Sequence, residues 1–291
     1  MAANDPLNVC ITFDFDSICA WASGLQVETP TVLSRGEFAG RVGVPRLLDL
    51  LAEEEVKAAF FTPGHTIETF PEVSRRILAE GHEIGHHGYF HETPVTVTED
   101  EERAILDRGI ESMERCLDGY RPKGYRSPAW DLSQSSTKLL EEYGFLYDSS
   151  MMAMDFEPYW CRTGDAIHRD GPFEFGRELE LVEIPVSWSL DDMPHLEFVM
   201  SPGMTIEAAS APKDLEAQWL ADLEFAAEEI PGGVFTITFH PDCIARGARI
   251  RMVRSVIRRA RELGANFATP AEVAEAWKVD APAPAPARVP A

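Results

Sequence analysis

The amino-acid sequence predicts an α/β protein with mostly parallel strands. Short β-rich runs alternate with amphipathic helical segments about seven times along the 291 residues. Parallel neighbours need helical crossovers, so this alternation is typical of either a doubly wound sheet or a barrel. Hydrophobic residues make up 45% of the chain, which is enough for one large core.

The individual strands and helices are predicted from hydrophobic periodicity and from their end signals. The first strand, "NVCITFDFD", has an apolar side chain at every second position. A helix over "PEVSRRILAEG" has Pro at its start and Gly after its end, and a Thr cap followed by acids opens "TEDEERAILDRGIESMERCLDG". The remaining segments continue the alternation: "VPRLLDLLAEEEV", "KAAFFT", "HEIG", "GYRS", "SQSSTKLLEEYG", "FLYDS", "ELVEIPVSW", "LEAQWLADLEFAAEEI", "GVFTITFH", "NFAT" and "PAEVAEAWK".

Two long segments, residues 17–43 and 189–212, interrupt this alternation and are predicted to be inserted loops. Long connections in compact domains are often lids or binding loops, although a plain surface excursion is nearly as common. The Pro/Ala-rich end, residues 278–291, is predicted to be a disordered tail. We therefore expect a single domain over residues 1–277.

The charge balance argues against two classes of partner. The chain has 49 acidic and 26 basic residues, a formal net charge of -23. Contacts with phosphates need clustered Lys and Arg, so neither nucleic acid nor an anionic membrane surface is expected. The one basic run, residues 246–259, is interpreted as the solvated face of a helix, because Ile250, Val253 and Ile257 recur at helical spacing.

The sequence also predicts a cytoplasmic location. The N-terminal segment lacks a cationic stretch followed by a long apolar run, and no apolar stretch approaches the roughly 18 residues of a membrane span. The five cysteines are odd in number, scattered and without a CxxC pair, as expected of free thiols. Cys19 follows an acidic cluster and is a candidate nucleophile, but simple packing is the favoured interpretation.

Chemically informative side chains stand at the ends of five predicted strands. Asp14 and Asp16 end the first strand, and His87 and His91 follow the third. The later strands end in Arg126, Asp191, Asp192 and His240. In a parallel α/β barrel these ends share one face, where catalytic groups gather. Each residue alone has an ordinary explanation, such as a cap or a core histidine, but their convergence favours an active site.

These residue types fit metal-assisted hydrolysis. Two imidazoles and one carboxylate form the open ligand set that is typical of catalytic zinc. Such an ion acidifies water and polarises a carbonyl group. A second carboxylate would act as general base, and an imidazole opposite would protonate a leaving nitrogen. Arg126 would keep the base ionised through a charge-assisted hydrogen bond.

The segments that carry these residues resemble the motifs of the polysaccharide deacetylase (NodB-homology) family, over roughly residues 7–277. The matching segments are "TFDFD" (12–16), "HHGYFH" (86–91), "RSPAW" (126–130), "SLDDMP" (189–194) and "TFHPD" (238–242). Three further segments, "SRGEFAGRVGVPRLLDLL", "TPGHTIETFPE" and "GHEIGHHGYFHETP", look typical of the branch with allantoinases, cyclic imide hydrolases and a Helicobacter-type peptidoglycan deacetylase. The resemblance implies a distorted (β/α) barrel of about seven parallel strands with two long inserted loops.

The resemblance also implies a hydrolase of carbon–nitrogen bonds other than peptide bonds, and it assigns a role to each candidate residue. Asp14 would be the catalytic base, Arg126 its orienting partner and His240 the acid. Asp16, His87 and His91 would hold a divalent metal, with Zn²⁺ as the expected ion. The substrate side would be formed by Trp130, by a backbone N–H near Ala129, and by Asp191 and Asp192.

The sequence departs from the family pattern at three positions. Phe15 separates two aspartates that are usually adjacent, and Gly88 stands where a hydroxyl residue is usual. His86 matches no family role. Some members of the branch work without metal, so the ligand residues predict metal use without proving it.

Three functions remain open at this stage. A small cyclic imide, ureide or lactam is slightly favoured as substrate, because long inserts could close over a small pocket. N-acetylated amino sugars of peptidoglycan or chito-oligomers are the alternative. A non-catalytic binding barrel is disfavoured, because a binder has no need of a base and an acid. We also expect a homo-oligomer, a dimer or tetramer, because residues 195–204 would otherwise expose an apolar patch.

Overall fold

The computed structural model describes residues 5–197, 199–201 and 204–285. The strands are β1 Asn8–Asp14, β2 Ala59–Thr62, β3 Glu83–His86, β4 Gly124–Tyr125, β5 Tyr147–Asp148, β6 Tyr159–Thr163, β7 Arg177–Glu183, β8 Val199–Ser201, β9 Met204–Ile206, β10 Val234–Phe239 and β11 Asn266–Phe267. The α-helices are α1 Pro30–Phe38, α2 Val44–Glu53, α3 Gly64–Thr69, α4 Pro71–Ala79, α5 Glu99–Cys116, α6 Ser136–Glu142, α7 Met193–Leu196, α8 Pro212–Glu229, α9 Pro241–Ile244, α10 Ile250–Glu262 and α11 Pro270–Asp280. In this part of the chain, no helix is both long and apolar enough to cross a membrane.

The main sheet confirms the predicted barrel of parallel strands. Its strand order is β10-β1-β2-β3-β4-β5-β7-β6, and every neighbouring pair up to β7 is parallel. The sheet curls into a half-barrel with helices around it. The sequence did not predict β6, which pairs antiparallel with β7, or the small β8–β9 hairpin. Successive strands are spatial neighbours, so their carboxyl ends line one rim.

Strand β1 lies between β10 and β2 and positions both aspartates. Alternate side chains along β1 face different hydrophobic clusters. Phe13 and Phe15 belong to the large core cluster, whereas Cys10 belongs to a second cluster. The ring of Phe13 lies 4.8 Å from that of Phe60 on β2. Because side chains two apart share a face of a strand, Asp14 points away from the Phe13 core, as Cys10 does.

The first insert, residues 17–43, carries helical structure of its own. It contains α1 between two wider helical turns, Ala20–Gly24 and Ala39–Gly43. The side chain of Thr29 caps α1 by accepting a hydrogen bond from the N–H of Val32. Gly36 lets α1 approach the strand end, because a Cβ there would lie 2.5 Å from the backbone of Ile18. The insert is therefore packed tightly over the end of β1.

The second insert, residues 189–212, includes α7 and the β8–β9 hairpin. Residues 198, 202 and 203 of the predicted apolar patch lie outside the described residues. The homo-oligomer expected from that patch therefore stays a prediction. The two inserts are joined by an ion pair between Arg35 and Glu197.

The C-terminal segment remains packed beyond residue 277. Helix α11 runs to Asp280, and the carbonyl oxygen of Pro282 accepts a 2.7 Å hydrogen bond from Nε1 of Trp160. The N–H of Glu178 on β7 donates to the carbonyl oxygen of Ala285 at 3.0 Å. The packed part of the chain thus extends to residue 285. Residues 286–291 of the predicted disordered tail lie outside the described residues.

Helix α5 packs closely on β3 because it has a glycine at the contact. A Cβ at Gly109 would lie 2.1 Å from Nε2 of His86, whose side chain is fully buried. That nitrogen already lies 3.3 Å from the carbonyl oxygen of Leu106 on α5. The site-bearing end of β3 therefore depends on the absence of a side chain at Gly109.

Gly109→Ala is expected to lower the free energy of unfolding by about 1–3 kcal/mol, the usual cost of overpacking. The direction of the change in unfolding free energy tests the close packing at Gly109, because a Gly to Ala substitution inside a helix otherwise stabilises a protein by about 1 kcal/mol. Denaturant unfolding of the variant gives the value. Glu111→Ala, at an exposed position of the same helix, serves as control and should change stability by less than about 0.5 kcal/mol. Unchanged or increased stability of Gly109→Ala would contradict this packing.

Candidate active site

A cavity of about 320 Å³ opens at the carboxyl ends of the parallel strands. Eight of the ten predicted site residues line it: Asp14, Asp16, His87, His91, Ala129, Trp130, Asp191 and His240. The other two, Arg126 and Asp192, are completely buried and do not line the cavity. The structure therefore brings the predicted residues together, eight at the cavity surface and two buried behind the residues that line it.

Asp16, His87 and His91 form a compact group at the edge of this cavity. Oδ1 of Asp16 lies 3.2 Å from Nε2 of His87, and its Oδ2 lies 3.5 Å from Nε2 of His91. One ligand atom from each residue falls within 4.8 Å of the other two. Burial acts to raise the pKa of Asp16, but the imidazoles of His91 and His87 outweigh it and hold that pKa below its usual value.

The loop after β3 aims the two imidazoles. Nδ1 of His87 lies 2.7 Å from the carbonyl oxygen of Arg126, which leaves its Nε2 on the side of Asp16. The backbone of His91 is left-handed, with φ of 60°. A strained backbone of this kind persists only where surrounding contacts hold it in place. Here Oε2 of Glu92 holds the loop by accepting hydrogen bonds from the N–H groups of Tyr89 and Phe90.

His86, which had no role from the sequence, supports the turn between the two candidate ligands. Its Nδ1 accepts a 3.2 Å hydrogen bond from the N–H of Gly88, so its Nε2 carries the proton and donates to the carbonyl oxygen of Leu106. Burial lowers the pKa of His86 to about 3, which keeps it neutral. Gly88 has φ of 72°, a conformation that favours glycine over the usual hydroxyl residue.

A buried ion pair joins Asp14 and Arg126. Nη1 of Arg126 donates to Oδ1 of Asp14 at 2.7 Å, and Nε1 of Trp130 donates to Oδ2 at 3.2 Å. The guanidinium also donates to Oγ1 of Thr12, and to the carbonyl oxygen and Oγ of Ser149, at 2.9–3.0 Å. Both oxygens of the candidate base are therefore fixed in direction, and Arg126 has charge-assisted hydrogen bonds throughout.

The turn that carries Trp130 is strained. Ala129 and Trp130 both have left-handed backbones, with φ of 57° and 52°. Consecutive non-glycine residues in this region cost roughly 1–3 kcal/mol each and are held by their surroundings. Here the hydrogen bond of Trp130 to Asp14 is one such restraint.

A pair of buried acids that the sequence analysis missed supports Arg126 from behind. Oε1 of Glu183 accepts from the N–H of Ser150 at 2.8 Å, and Oδ1 of Asp148 accepts from Oγ of the same serine at 2.7 Å. This holds the segment whose Ser149 bonds Arg126. Burial raises the pKa of Asp148 to about 6 and that of Glu183 well above its usual value. Asp148 and Glu183 each end a strand, and this position is the sequence feature that could have identified them.

His240 is held by two carboxylates on the opposite side. Its Nδ1 lies 2.8 Å from Oδ1 of Asp192 and 3.4 Å from Oδ1 of Asp191, while its Nε2 lies 3.7 Å from Oδ2 of Asp16. Burial acts to lower the pKa of His240, but Asp191 and Asp192 raise it well above its usual value. The prediction that Asp192 contacts substrate needs correction, because this buried residue orients His240 instead.

The two inserts and three tryptophans form the walls of the cavity. Trp21, from the first insert, is buried and donates from Nε1 to Oδ2 of Asp242 at 2.9 Å. Trp188, near the second insert, lines the cavity with its side chain 58% exposed. Together with Trp130 they give the cavity aromatic surfaces beside its acids and imidazoles.

The donor set fits a divalent transition metal at Asp16, His87 and His91. Oδ1 of Asp16 is buried and makes no hydrogen bond, and Nδ1 of His91 is likewise without a hydrogen-bond partner. Among the described residues, two other clusters could bring three ligand atoms together, but both are less suitable. In the cluster of Asp191, Asp192 and His240, Nδ1 of His240 already bonds Asp192, and the cluster of Asp148, Cys161 and Glu183 is completely buried. An oxygen and two imidazole nitrogens beside a cavity are the ligands that an open metal site needs.

Comparison with known proteins identifies the family. A model described as polysaccharide deacetylase matches residues 8–147. The peptidoglycan deacetylase of Helicobacter pylori is 36% identical over 274 residues, which cover 90% of this chain and 93% of that protein. The chain belongs to the polysaccharide deacetylase family. It is a hydrolase of carbon–nitrogen bonds other than peptide bonds, in a family whose deacetylases are metal-dependent in general.

Solved structures agree with this assignment. A polysaccharide deacetylase structure from Mycobacterium smegmatis has a TM-score of 0.86 at 34% identity, covering 100% of this chain and 96% of that one. An allantoinase structure superposes with a TM-score of 0.76 at 20% identity, covering 97% and 93%. The allantoinase supports the fold alone. The predicted family resemblance and reaction class are confirmed.

The buried acid pair makes a prediction about stability and pH. Because burial raises the folded pKa of Asp148 to about 6, its contribution to stability is complete only below the unfolded pKa of about 3.9 and is lost as pH rises from there through 6. Asp148→Asn cannot ionise, and its amide oxygen can still accept the hydrogen bond from Oγ of Ser150. Relative to wild type, the variant should gain about 2 kcal/mol of unfolding free energy between pH 4 and pH 8.

Denaturant unfolding at several pH values measures this difference. Asp170→Asn, at an exposed carboxylate, removes the same charge and should retain the wild-type pH profile. Parallel profiles for wild type and Asp148→Asn would show that Asp148 is not protonated in the folded protein.

Proposed function

We propose that the protein is a metal-dependent deacetylase of a compact N-acetylated amino sugar. The proposal is carried by one observation: the Asp14–Arg126 pair, the Asp16 group and His240 converge on a single cavity. A base, an acid and an open metal site are the parts needed to hydrolyse an amide. The peptidoglycan deacetylase of Helicobacter pylori, which aligns over 90% of the chain, supports this substrate class.

Asp16, His87 and His91 would hold the metal, with Zn²⁺ as the ion that best suits one carboxylate and two imidazoles. When bound, a divalent ion would polarise the acetyl carbonyl and acidify water in the cavity. The chain's own contribution is to keep these ligands buried and correctly aimed. His87 is aimed by the carbonyl oxygen of Arg126, and the turn before His91 is held by His86.

Asp14 would act as general base. Its two oxygens are fixed by Arg126 and Trp130, so its position is set before the substrate arrives. Asp14 would take a proton from the attacking water as the oxygen of that water bonds to the acetyl carbon.

His240 would act as general acid. Asp191 and Asp192 favour its protonated form, and Asp192 is buried behind it as an orienting carboxylate. His240 would give its proton to the amide nitrogen as the carbon–nitrogen bond breaks. The products are acetate and a free amine.

The cavity sets the size of the substrate. At about 320 Å³ it lies at the small end of ligand pockets and suits one ring with its acyl group. Trp130 and Trp188 provide apolar faces for packing against a sugar ring. Because both inserts contribute to the walls, a long polymer would not thread across the site.

A small cyclic imide or ureide is the second candidate, as the sequence analysis preferred. The apolar walls and the two inserts favour it, and the bond that is broken is of the same kind. We place the amino sugar first because of the peptidoglycan deacetylase that matches most of the chain.

A hydrolysis panel tests this order. Zinc-loaded protein should release acetate from N-acetylglucosamine and its short oligomers, and from long chitin-like chains at least about tenfold more slowly. Chelation should abolish release, and added Zn²⁺ should restore it. Turnover of cyclic imides alone would replace the first candidate by the second. Efficient deacetylation of long chains would contradict the size limit, and no turnover of either class by metal-loaded protein would refute the proposal.

A further inference from the structure

A second cavity, of about 460 Å³, adjoins the catalytic one, and arginines make up half of its lining residues. Its lining residues are Ser34, Arg35, Phe38, Glu197, Arg246 and Arg249. Three guanidinium groups against one carboxylate make this a positive region in a chain of net charge -23. Arg246 and Arg249 belong to the basic run, residues 246–259, that is predicted to be a solvated helix face, but in the structure they line this cavity.

The positive charge at this cavity is only partly neutralised, by the ion pair between Glu197 and Arg35. Among the described residues, neither Arg246 nor Arg249 forms an ion pair; Nε of Arg246 donates to the carbonyl oxygen of Asp242 at 2.7 Å, and Nη1 of Arg249 to that of Cys243 at 3.5 Å. By contrast, Arg254 and Arg258 on the following helix both pair with Glu54. Arg246 and Arg249 thus keep their positive charge beside the cavity in an otherwise acid-rich chain.

The guanidinium groups are also held in position. That of Arg246 lies 4.0 Å over the ring of Phe38, and that of Arg35 lies 4.8 Å over the ring of Trp21. Burial lowers the pKa of Arg35. The carboxylate of Asp242 raises this pKa, whereas the positive charges of Arg246 and Arg249 lower it. Stacked guanidinium groups lose little freedom when they bind a planar or tetrahedral oxyanion.

The two cavities share a wall. Glu197 lines both of them, and it pairs with Arg35. Trp21 lines the catalytic cavity and lies under Arg35. A group bound at the arginines would therefore lie next to a substrate in the catalytic cavity.

We propose that the arginine cavity binds an oxyanion, a carboxylate or a phosphate, and that this oxyanion belongs to the substrate. The enzyme would then prefer N-acetylated amino sugars that carry such a group over neutral ones. This inference rests on the proposed deacetylase function for the identity of the substrate. Binding of the oxyanion itself does not depend on it.

Kinetics with matched sugars tests the substrate preference. Wild-type KM should be about tenfold lower for N-acetylmuramic acid or N-acetylglucosamine 6-phosphate than for neutral N-acetylglucosamine. The double variant Arg246→Gln/Arg249→Gln should lose this preference, with kcat and the KM of the neutral sugar unchanged. Arg251→Gln, at an exposed arginine outside the cavity, removes charge without removing the site and should behave as wild type.

Titration with inorganic phosphate, followed by calorimetry, tests the site without turnover. Wild type and Arg251→Gln should bind phosphate more than about tenfold more tightly than the double variant, and melting temperatures show whether all three are folded. Equal phosphate binding by all three would overturn the inference. Arginine-dependent phosphate binding without a preference for anionic sugars would assign the cavity to a free anion and overturn the substrate claim. Arginine-dependent binding with no sugar hydrolysed would support the oxyanion site and refute the deacetylase function.

Discussion

The active site depends on the buried ion pair between Asp14 and Arg126. Neither side chain is more than 2% exposed, so both charges are removed from water. Such a pair is tolerated only when hydrogen bonds satisfy the remaining donors and acceptors, and removal of one partner costs about 3–5 kcal/mol. Thr12, Ser149 and Trp130 supply those hydrogen bonds. The residues around the Asp14–Arg126 pair must therefore supply hydrogen bonds that offset the free-energy cost of burying these two charges.

The same arginine connects the candidate base with the candidate metal ligands. Its guanidinium fixes the candidate base, and its carbonyl oxygen aims His87 toward Asp16. Behind it, Asp148 and Glu183 hold the segment that bonds its guanidinium. The positions of the candidate base and of the candidate metal ligand His87 are thus coupled through one residue at the end of β4. On the far side, His240 has its own pair of carboxylates, so the acid is positioned independently of Arg126.

Much of this arrangement could be predicted from the sequence, because it is set by local pattern. Alternation along β1 and polar residues at strand ends indicated which side chains share the rim, and eight of ten candidates line the cavity. Contacts between distant segments could not be predicted. The role of His86 depends on Leu106, and the burial of Asp192 depends on its pairing with His240. The sequence pattern around Arg246 predicts only a helix face. The contact with Phe38 of α1, whose ring lies under the Arg246 guanidinium, exists only in the folded protein.

We propose that Asp14, the last residue of β1, and Asp16, two residues beyond it, have different roles. Bound metal and kcat should therefore be measured on Asp14→Asn and Asp16→Asn, with folding checked by melting temperature. Asp14→Asn keeps an oxygen for Arg126 and should retain its metal while kcat falls about 10²- to 10⁴-fold. Asp16→Asn should lose metal and activity together. Loss of metal from Asp14→Asn but not from Asp16→Asn would reverse the two roles, and unchanged turnover in both variants would show that the active site lies elsewhere.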